Sequence, residues 1–169
     1  MKKVAEYAEN FAEYAGRGEG LFIVGPNGTG KTHLAAATAL HLISKGVPVV
    51  CKTSENMLSD IKRAFDSKEA TEYEVLKAYK DVDLLIVDDL GKEQCTDWSI
   101  STLYSILNDR YEDMKPTIIT TNYSGSDLTE ALTPKGYGDD KIKAIVSRLR
   151  EVSEVVKMDW EDYRRAKNA

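Results

Sequence analysis

Apolar residues fall along the chain either at helical spacing or in short unbroken runs, and the alternation between the two lays out the fold. Val4, Tyr7, Ala8, Phe11, Tyr14 and Ala15 keep the spacing of one helix face, so residues 4–15 predict a short amphipathic helix closed by GRGEG. LFIVG (21–25) is a solid apolar run that fits a buried strand, and a helix over 31–44 follows it, ended by Gly46. VPVVCK (47–52) predicts a second strand. Met57, Leu58, Ile61, Ala64 and Phe65 mark the inner face of a helix for which Ser54 is the expected N-cap, and a further helix is expected over 71–80. DLLIVDD (83–89) reads as a third strand, apolar throughout as a strand covered on both faces must be. Residues 98–111 predict a helix, Pro116 opens a fourth strand at TIITTN (117–122), and Ser126 is expected to cap a short helix ending near Leu132. After the polar loop TPKGYGDD come the helix KIKAIVSRL, the strand EVVKM (154–158) and a terminal helix, WEDYRRAK. Strands alternating with helices imply an α/β fold of three layers, α/β/α, around a mostly parallel five-stranded sheet.

Chemistry enters where the first strand meets its helix. The stretch GPNGTGKTH, comprising Gly25, Pro26, Asn27, Gly28, Thr29, Gly30, Lys31, Thr32 and His33, fits G-x-x-x-x-G-K-[ST] with a strand before it and a helix after it, the context a P-loop requires. Its glycines let successive backbone N–H groups turn inward toward phosphate oxygens, and the helix beginning there adds its positive end. Lys31 can then reach the β- and γ-phosphates of ATP, and the Thr32 hydroxyl can join the shell of a Mg²⁺ ion. Asp88 and Asp89 end the third strand on the same sheet edge. Asp88 is the expected orienter of the Mg²⁺ shell, which requires it to lie within water-bridged reach of Thr32. Asp89 is placed to accept a proton from an attacking water or to position it, and Glu93 is close enough in sequence to be considered for the same task.

Lys31 and Asp88 are 57 positions apart, too far for one βαβ unit, so a whole strand–helix unit lies between them. This spacing resembles the additional-strand class of P-loop ATPases, in which a further strand between the two motif strands aims a polar residue at the γ-phosphate. TIITTN fits that role, with Asn122 as first candidate and Thr121 as second. An N-K-x-D motif, which a GTPase would need, does not occur. A small-molecule kinase would want an arginine-rich lid, for which only the basic residues after 140 are available.

Composition narrows the picture further. At 169 residues the chain is expected to form a single domain, with an N-terminal helix and linker (1–18), a P-loop core (19–158) and a C-terminal helix (159–169). A formal charge of −5 argues against a surface that grips nucleic acid everywhere, although KIKAIVSRLR and YRRAK are basic, either as a local patch or as solvated helix faces. No apolar run is long enough to span a bilayer, the N-terminus lacks the apolar core of a signal peptide, and Cys51 and Cys95 read as reduced thiols of a cytoplasmic protein. His33 and His41, eight apart, suit packing or surface roles better than a zinc site. Tyr7, Phe11 and Tyr14 fit a hydrophobic stripe, with an adenine wall as the alternative.

GPNGTGKTHLAAA, LLIVDDLGKE, LYSILNDRYEDMKPTIITTN and VSRLRE, in this order, resemble the AAA+ ATPase domain of the bacterial DnaC/DnaI helicase loaders and their relatives, the IstB transposition helper ATPases. The resemblance runs from about Tyr7 to Arg165. It implies an ATP-hydrolysing domain with Lys31 and Thr32 as Walker A ligands, Asp88 and Asp89 as the Walker B pair, and Asn122 as sensor 1. Arg148 matches the arginine finger that acts on a neighbouring subunit's ATP, against a plain surface salt bridge, and Arg164 resembles the late arginine of the sensor 2 region. It also implies a DnaB-type hexameric helicase and single-stranded DNA as partners, with self-assembly on ATP. A transposition helper and a nucleotide-gated binding module with little turnover are the competing readings. Three departures stand against the wider AAA+ pattern: Asp89 where many members have Glu, a helical lid that is absent or vestigial, and no partner-binding domain ahead of the ATPase core, as in an excised domain or a protein with a different partner.

Overall fold

In the computed structural model, which describes residues 2–66, 71–93, 95–134 and 138–160, all five apolar runs are strands of one parallel sheet. The elements in chain order are α1 (Lys2–Glu9), α2 (Phe11–Gly16), β1 (Gly20–Val24), α3 (Lys31–Ser44), β2 (Val49–Thr53), α4 (Ser54–Asp66), α5 (Glu72–Asp81), β3 (Leu84–Asp88), α6 (Asp97–Glu112), β4 (Thr117–Thr121), α7 (Gly125–Leu132), α8 (Asp140–Glu151) and β5 (Ser153–Lys157). The strand order is β2-β3-β4-β1-β5. β4 therefore lies between the strand that feeds the glycine loop and the strand that ends in Asp88, as the resemblance to the additional-strand class implied.

Crossover handedness sorts the helices into layers. From β1 the chain crosses the sheet in one direction to β2, then reverses through β3 and β4 and on past β1 to β5. Right-handed crossovers put α3 on one face and the later helices on the other. Strand side chains alternate accordingly: Leu84 and Ile86 pack in a core with Val4, Phe11, Ala39 and Leu42, while Leu85 and Val87 join Met57, Ile61, Leu103, Ile106 and Val146. Both faces of β3 and β4 are buried, which is why their sequences show no polar alternation. The reversal of direction next to β1 opens a crevice at the carboxyl ends of the strands, where open α/β sheets bind ligands.

Three local expectations are corrected. The N-terminal helix is two helices, broken at Asn10, whose side chain donates back to the Glu6 carbonyl at 3.1 Å. The break leaves the apolar stripe intact, since Tyr7 and Phe11 still meet edge to face at 5.8 Å. Ser54 is not the cap of α4. That role falls to Thr53, whose hydroxyl accepts from the Asn56 N–H at 3.1 Å, which frees Ser54 to point inward. Ser126 lies inside α7, and Ser124 is the residue at its N-cap. Thr71 and Thr96, by contrast, open α5 and α6 with reciprocal capping boxes. The expected helix WEDYRRAK falls, beyond Trp160, outside the described residues.

Arg110 anchors the entry of β4. It is 1% exposed, and its guanidinium donates to the carbonyls of Tyr79, Lys80, Val82 and Pro116 and to the Thr117 hydroxyl, at 2.7–3.1 Å. Burial pushes its pKa down to about 10, which leaves it charged at neutral pH. Replacing it leaves several buried carbonyls without donors. Arg110→Met, which keeps the bulk and removes the donors, is expected to lower the unfolding free energy by roughly 3 kcal/mol or more in urea titration. A loss below about 1 kcal/mol would show the clamp to be dispensable.

Candidate nucleotide-binding site

β1 is buried between β4 and β5 and ends at Val24, and the chain then turns through residues 25–30 into α3. Two glycines make that turn possible. Gly30 sits at the N-cap of α3 with φ 93°, a conformation that L side chains rarely adopt. Gly25 passes so close to the segment after β5 that a Cβ there would lie 2.1 Å from the Met158 carbonyl oxygen. Thr29 braces the loop by donating to the Pro26 carbonyl at 2.9 Å. The resulting pocket, about 590 Å³, is lined by Asn27, Gly28, Thr29, Gly30, Lys31, Thr32, His33, Asp89, Lys92 and Trp160.

Lys31 is 5% exposed, and its ammonium donates to the carbonyls of Gly25 and Pro26 at 2.8 and 2.9 Å and to Asn122 Oδ1 at 2.7 Å. Asn122 in turn donates through Nδ2 to Asn27 Oδ1 at 3.0 Å, so the end of β4 is tied directly to the loop. Thr121, the second sensor candidate, is fully buried and spends its hydroxyl on the Leu90 carbonyl at 2.7 Å. Of the two, Asn122 alone contacts the P-loop lysine.

Asp88 meets the condition set for it. Thr32 Oγ1 lies 3.0 Å from both of its carboxylate oxygens. The carboxylate is 6% exposed and also accepts from Thr120 Oγ1 at 2.5 Å. That threonine oxygen accepts the Asp89 N–H at 2.9 Å. Thr120 was not singled out by sequence reasoning; the adjacent threonines at the carboxyl end of TIITTN were the signal available. A hydroxyl and a carboxylate converging at one point are a donor set that fits Mg²⁺, an ion that keeps most of its shell as water and phosphate oxygen.

Asp89 and Glu93 part company. Asp89 leaves β3 with φ 56°, left-handed for a non-glycine residue, and its carboxylate lines the pocket beside Lys92 Nζ at 2.8 Å. Glu93 is buried behind the turn, where it accepts from Ser54 Oγ at 2.6 Å and from the Gly91 N–H at 2.9 Å. It does not line the pocket, so it supports the turn that carries Asp89. The Ser54–Glu93 pair was hidden in the sequence, because both residues had simpler local readings.

The remaining candidates scatter. Arg148, on α8, lies away from this pocket against α6, donating to Tyr104 Oη at 3.3 Å and to Asn108 Oδ1, and stacking on the Tyr111 ring at 5.5 Å. Its partners are neutral, so it is not the plain salt bridge weighed against a finger role. Arg164 lies outside the described residues. His33 lines the pocket, whereas His41 faces Glu9 at 3.5 Å. Tyr7 and Phe11 belong to the core beneath α3, and Tyr14 packs against it. Trp160 was overlooked as a site residue. Among the described residues no helix is long and apolar enough to cross a membrane.

Known proteins resemble this chain in sequence and fold. The family of IstB-like ATP-binding proteins matches residues 2–169. The replicative helicase loader DnaC of Escherichia coli K12 is 27% identical over 97% of this chain and 62% of its own length. DnaI of Bacillus subtilis, also a replicative helicase loader, is 26% identical over 97% of this chain and 53% of its own. A crystal structure of the DnaC helicase loader superposes with a TM-score of 0.78 at 30% identity, covering 92% of this chain and 86% of that one. The chain thus spans 62% or less of the length of these two curated relatives. With its P-loop, its inserted β4 and its paired aspartates in place, the chain belongs to the IstB-like ATP-binding proteins, the family of AAA+ domains that it shares with the DnaC and DnaI helicase loaders.

Proposed function

We propose that this domain hydrolyses ATP and uses the cycle to load a DnaB-type hexameric helicase onto single-stranded DNA. The observation that carries the catalytic half is the convergence of Thr32, Asp88 and Thr120 at 3.0 Å or less beside an Asn122-linked Lys31. Backbone N–H groups of the loop and the Lys31 ammonium would bind the β- and γ-phosphates. Thr32 would ligate a Mg²⁺ ion, with Asp88 orienting its water shell; an ion held there would supply positive charge against the phosphates. Asp89 would take a proton from water as its oxygen attacks the γ-phosphorus, and the β–γ bridging P–O bond would break to release ADP and phosphate.

Asn122 gives the cycle an output. Its amide would contact the γ-phosphate only before hydrolysis, and afterwards Lys31 and Asn27 hold it, so the end of β4 reports on the nucleotide. Arg148 would supply positive charge to a neighbouring subunit's transition state, in keeping with its position away from its own pocket. Likeness to the DnaC and DnaI helicase loaders supports the loading role; a cytoplasmic setting and assembly on ATP are part of the same proposal. A transposition helper is the second reading, supported by the family to which the chain belongs. Capture of purified DnaB-type helicase in the presence of ATP supports loading, and capture of a transposase with no helicase binding supports the second reading.

Lys31→Ala is expected to abolish ATP binding in calorimetry. Asp89→Asn should keep that binding and lower kcat about 100-fold or more in a phosphate-release assay. Normal turnover by Asp89→Asn would remove Asp89 from the catalytic role. Arg148→Ala and Lys31→Ala, each inactive alone, should regain ATPase activity when mixed, because one subunit's finger then serves the other's intact loop. No recovery on mixing would show that Arg148 does not act on a neighbouring subunit's ATP.

A further inference from the structure

The pocket is rich in groups for a triphosphate and poor in surface for a base. Lys31, Thr32, Asp89 and Lys92 occupy its polar part, and the aromatic residues of the N-terminal helices are committed to the core. Among the described residues one large apolar ring lines it, that of Trp160. Trp160 is 42% exposed, although a residue of this size is usually well covered. Its edge is fixed all the same, because Nε1 donates to the Thr29 carbonyl of the P-loop at 3.0 Å.

The backbone leading to it is equally constrained. β5 pairs with β1 as far as Val24 and Lys157, and the Met158 N–H then donates to the Val24 carbonyl at 2.8 Å. Met158 is 2% exposed, and its carbonyl packs on Gly25. Trp160 therefore stands two residues beyond a buried anchor on the same strand edge as the glycine loop. An aromatic ring whose edge is pinned and whose face opens to a pocket is a stacking platform that pays little entropy on binding.

We infer that Trp160 is the base-stacking wall of the nucleotide site, holding the purine ring while its own N–H ties that wall to the P-loop at Thr29. This rests on the pocket being an ATP site and adds the residue that recognises the nucleoside. Stacking uses the π-face that every base has, so the wall distinguishes nucleotides from bare polyphosphates and is tolerant of base identity.

Titration calorimetry with ATP and with inorganic tripolyphosphate, each with Mg²⁺, separates the possibilities. Trp160→Ala should raise the Kd for ATP at least tenfold and leave that for tripolyphosphate within about twofold, and Trp160→Phe should recover most of the lost ATP affinity. Trp160 and Trp98 are the two tryptophans of the chain, so in a Trp98→Phe protein ATP should quench the remaining emission and tripolyphosphate should not. Equal weakening of both ligands by Trp160→Ala and by Trp160→Phe would mean that the indole only braces the loop, and would overturn the proposal. Unchanged ATP affinity in Trp160→Ala, with binding lost in Lys31→Ala, would overturn it while leaving the ATP site standing. Unchanged binding of both ligands in Lys31→Ala would bring down the ATP site and this wall with it.

Discussion

A nearly inaccessible carboxylate held between two threonine hydroxyls organises the carboxyl edge of the sheet. Asp88 accepts from Thr32 at the start of α3 and from Thr120 near the end of β4, so one side chain ties three elements together. An ionised carboxylate at 6% exposure is expensive unless it is well supplied with donors, and the two hydroxyls supply them. Thr120 does a second task by accepting the Asp89 N–H, which holds that residue in its left-handed conformation. Both effects need β4 beside β3 and next to β1. A sheet in which β1 and β3 were direct neighbours would have no strand from which to offer Thr120 or Asn122.

β4 is thus a short rod fixed at both ends. At its entry the buried guanidinium of Arg110 gathers the carbonyls that lead into β3 and β4. At its exit Asn122 meets the P-loop lysine and Asn27. With the rod clamped, Asn122 meets the loop from a rigid frame rather than from a flexible connection. The Glu93–Ser54 pair backs the turn from the other side, and Ser54 also reaches the Asp89 carbonyl at 3.3 Å. Asp89 is consequently held by backbone and hidden side chains, and its carboxylate is left to face the pocket.

Much of this was legible in the chain. Helix identities followed from a period of 3.6 residues and strand identities from short unbroken apolar runs, and the P-loop was complete within nine consecutive positions. The 57-residue interval to Asp88 disclosed an inserted unit before any strand order was known. Other features were opaque for a shared reason. Ser54 looked like a cap because serine caps helices, yet Thr53 one place earlier is equally able to, and choosing between them requires knowing that Glu93 waits in the interior. Asn10 carries no mark in the apolar stripe, because that stripe continues on both sides of the break. Arg148 read as a finger or a salt bridge, and the neutral cradle of Tyr104, Asn108 and Tyr111 belongs to a helix about forty residues away.

The sequence by itself determined what depends on neighbours along the chain: the elements, the phosphate-binding loop, the acidic pair and the layered α/β class. Those properties arise from backbone geometry and local burial, which a few consecutive residues suffice to set. Tertiary structure alone decided which hydroxyl serves which carboxylate, where the guanidiniums find acceptors, and that Trp160 returns to the P-loop 131 residues after Thr29. A polar or aromatic tip has many chemically equivalent partners in a sequence. Only the packing of the strands and helices around β1 decides among them.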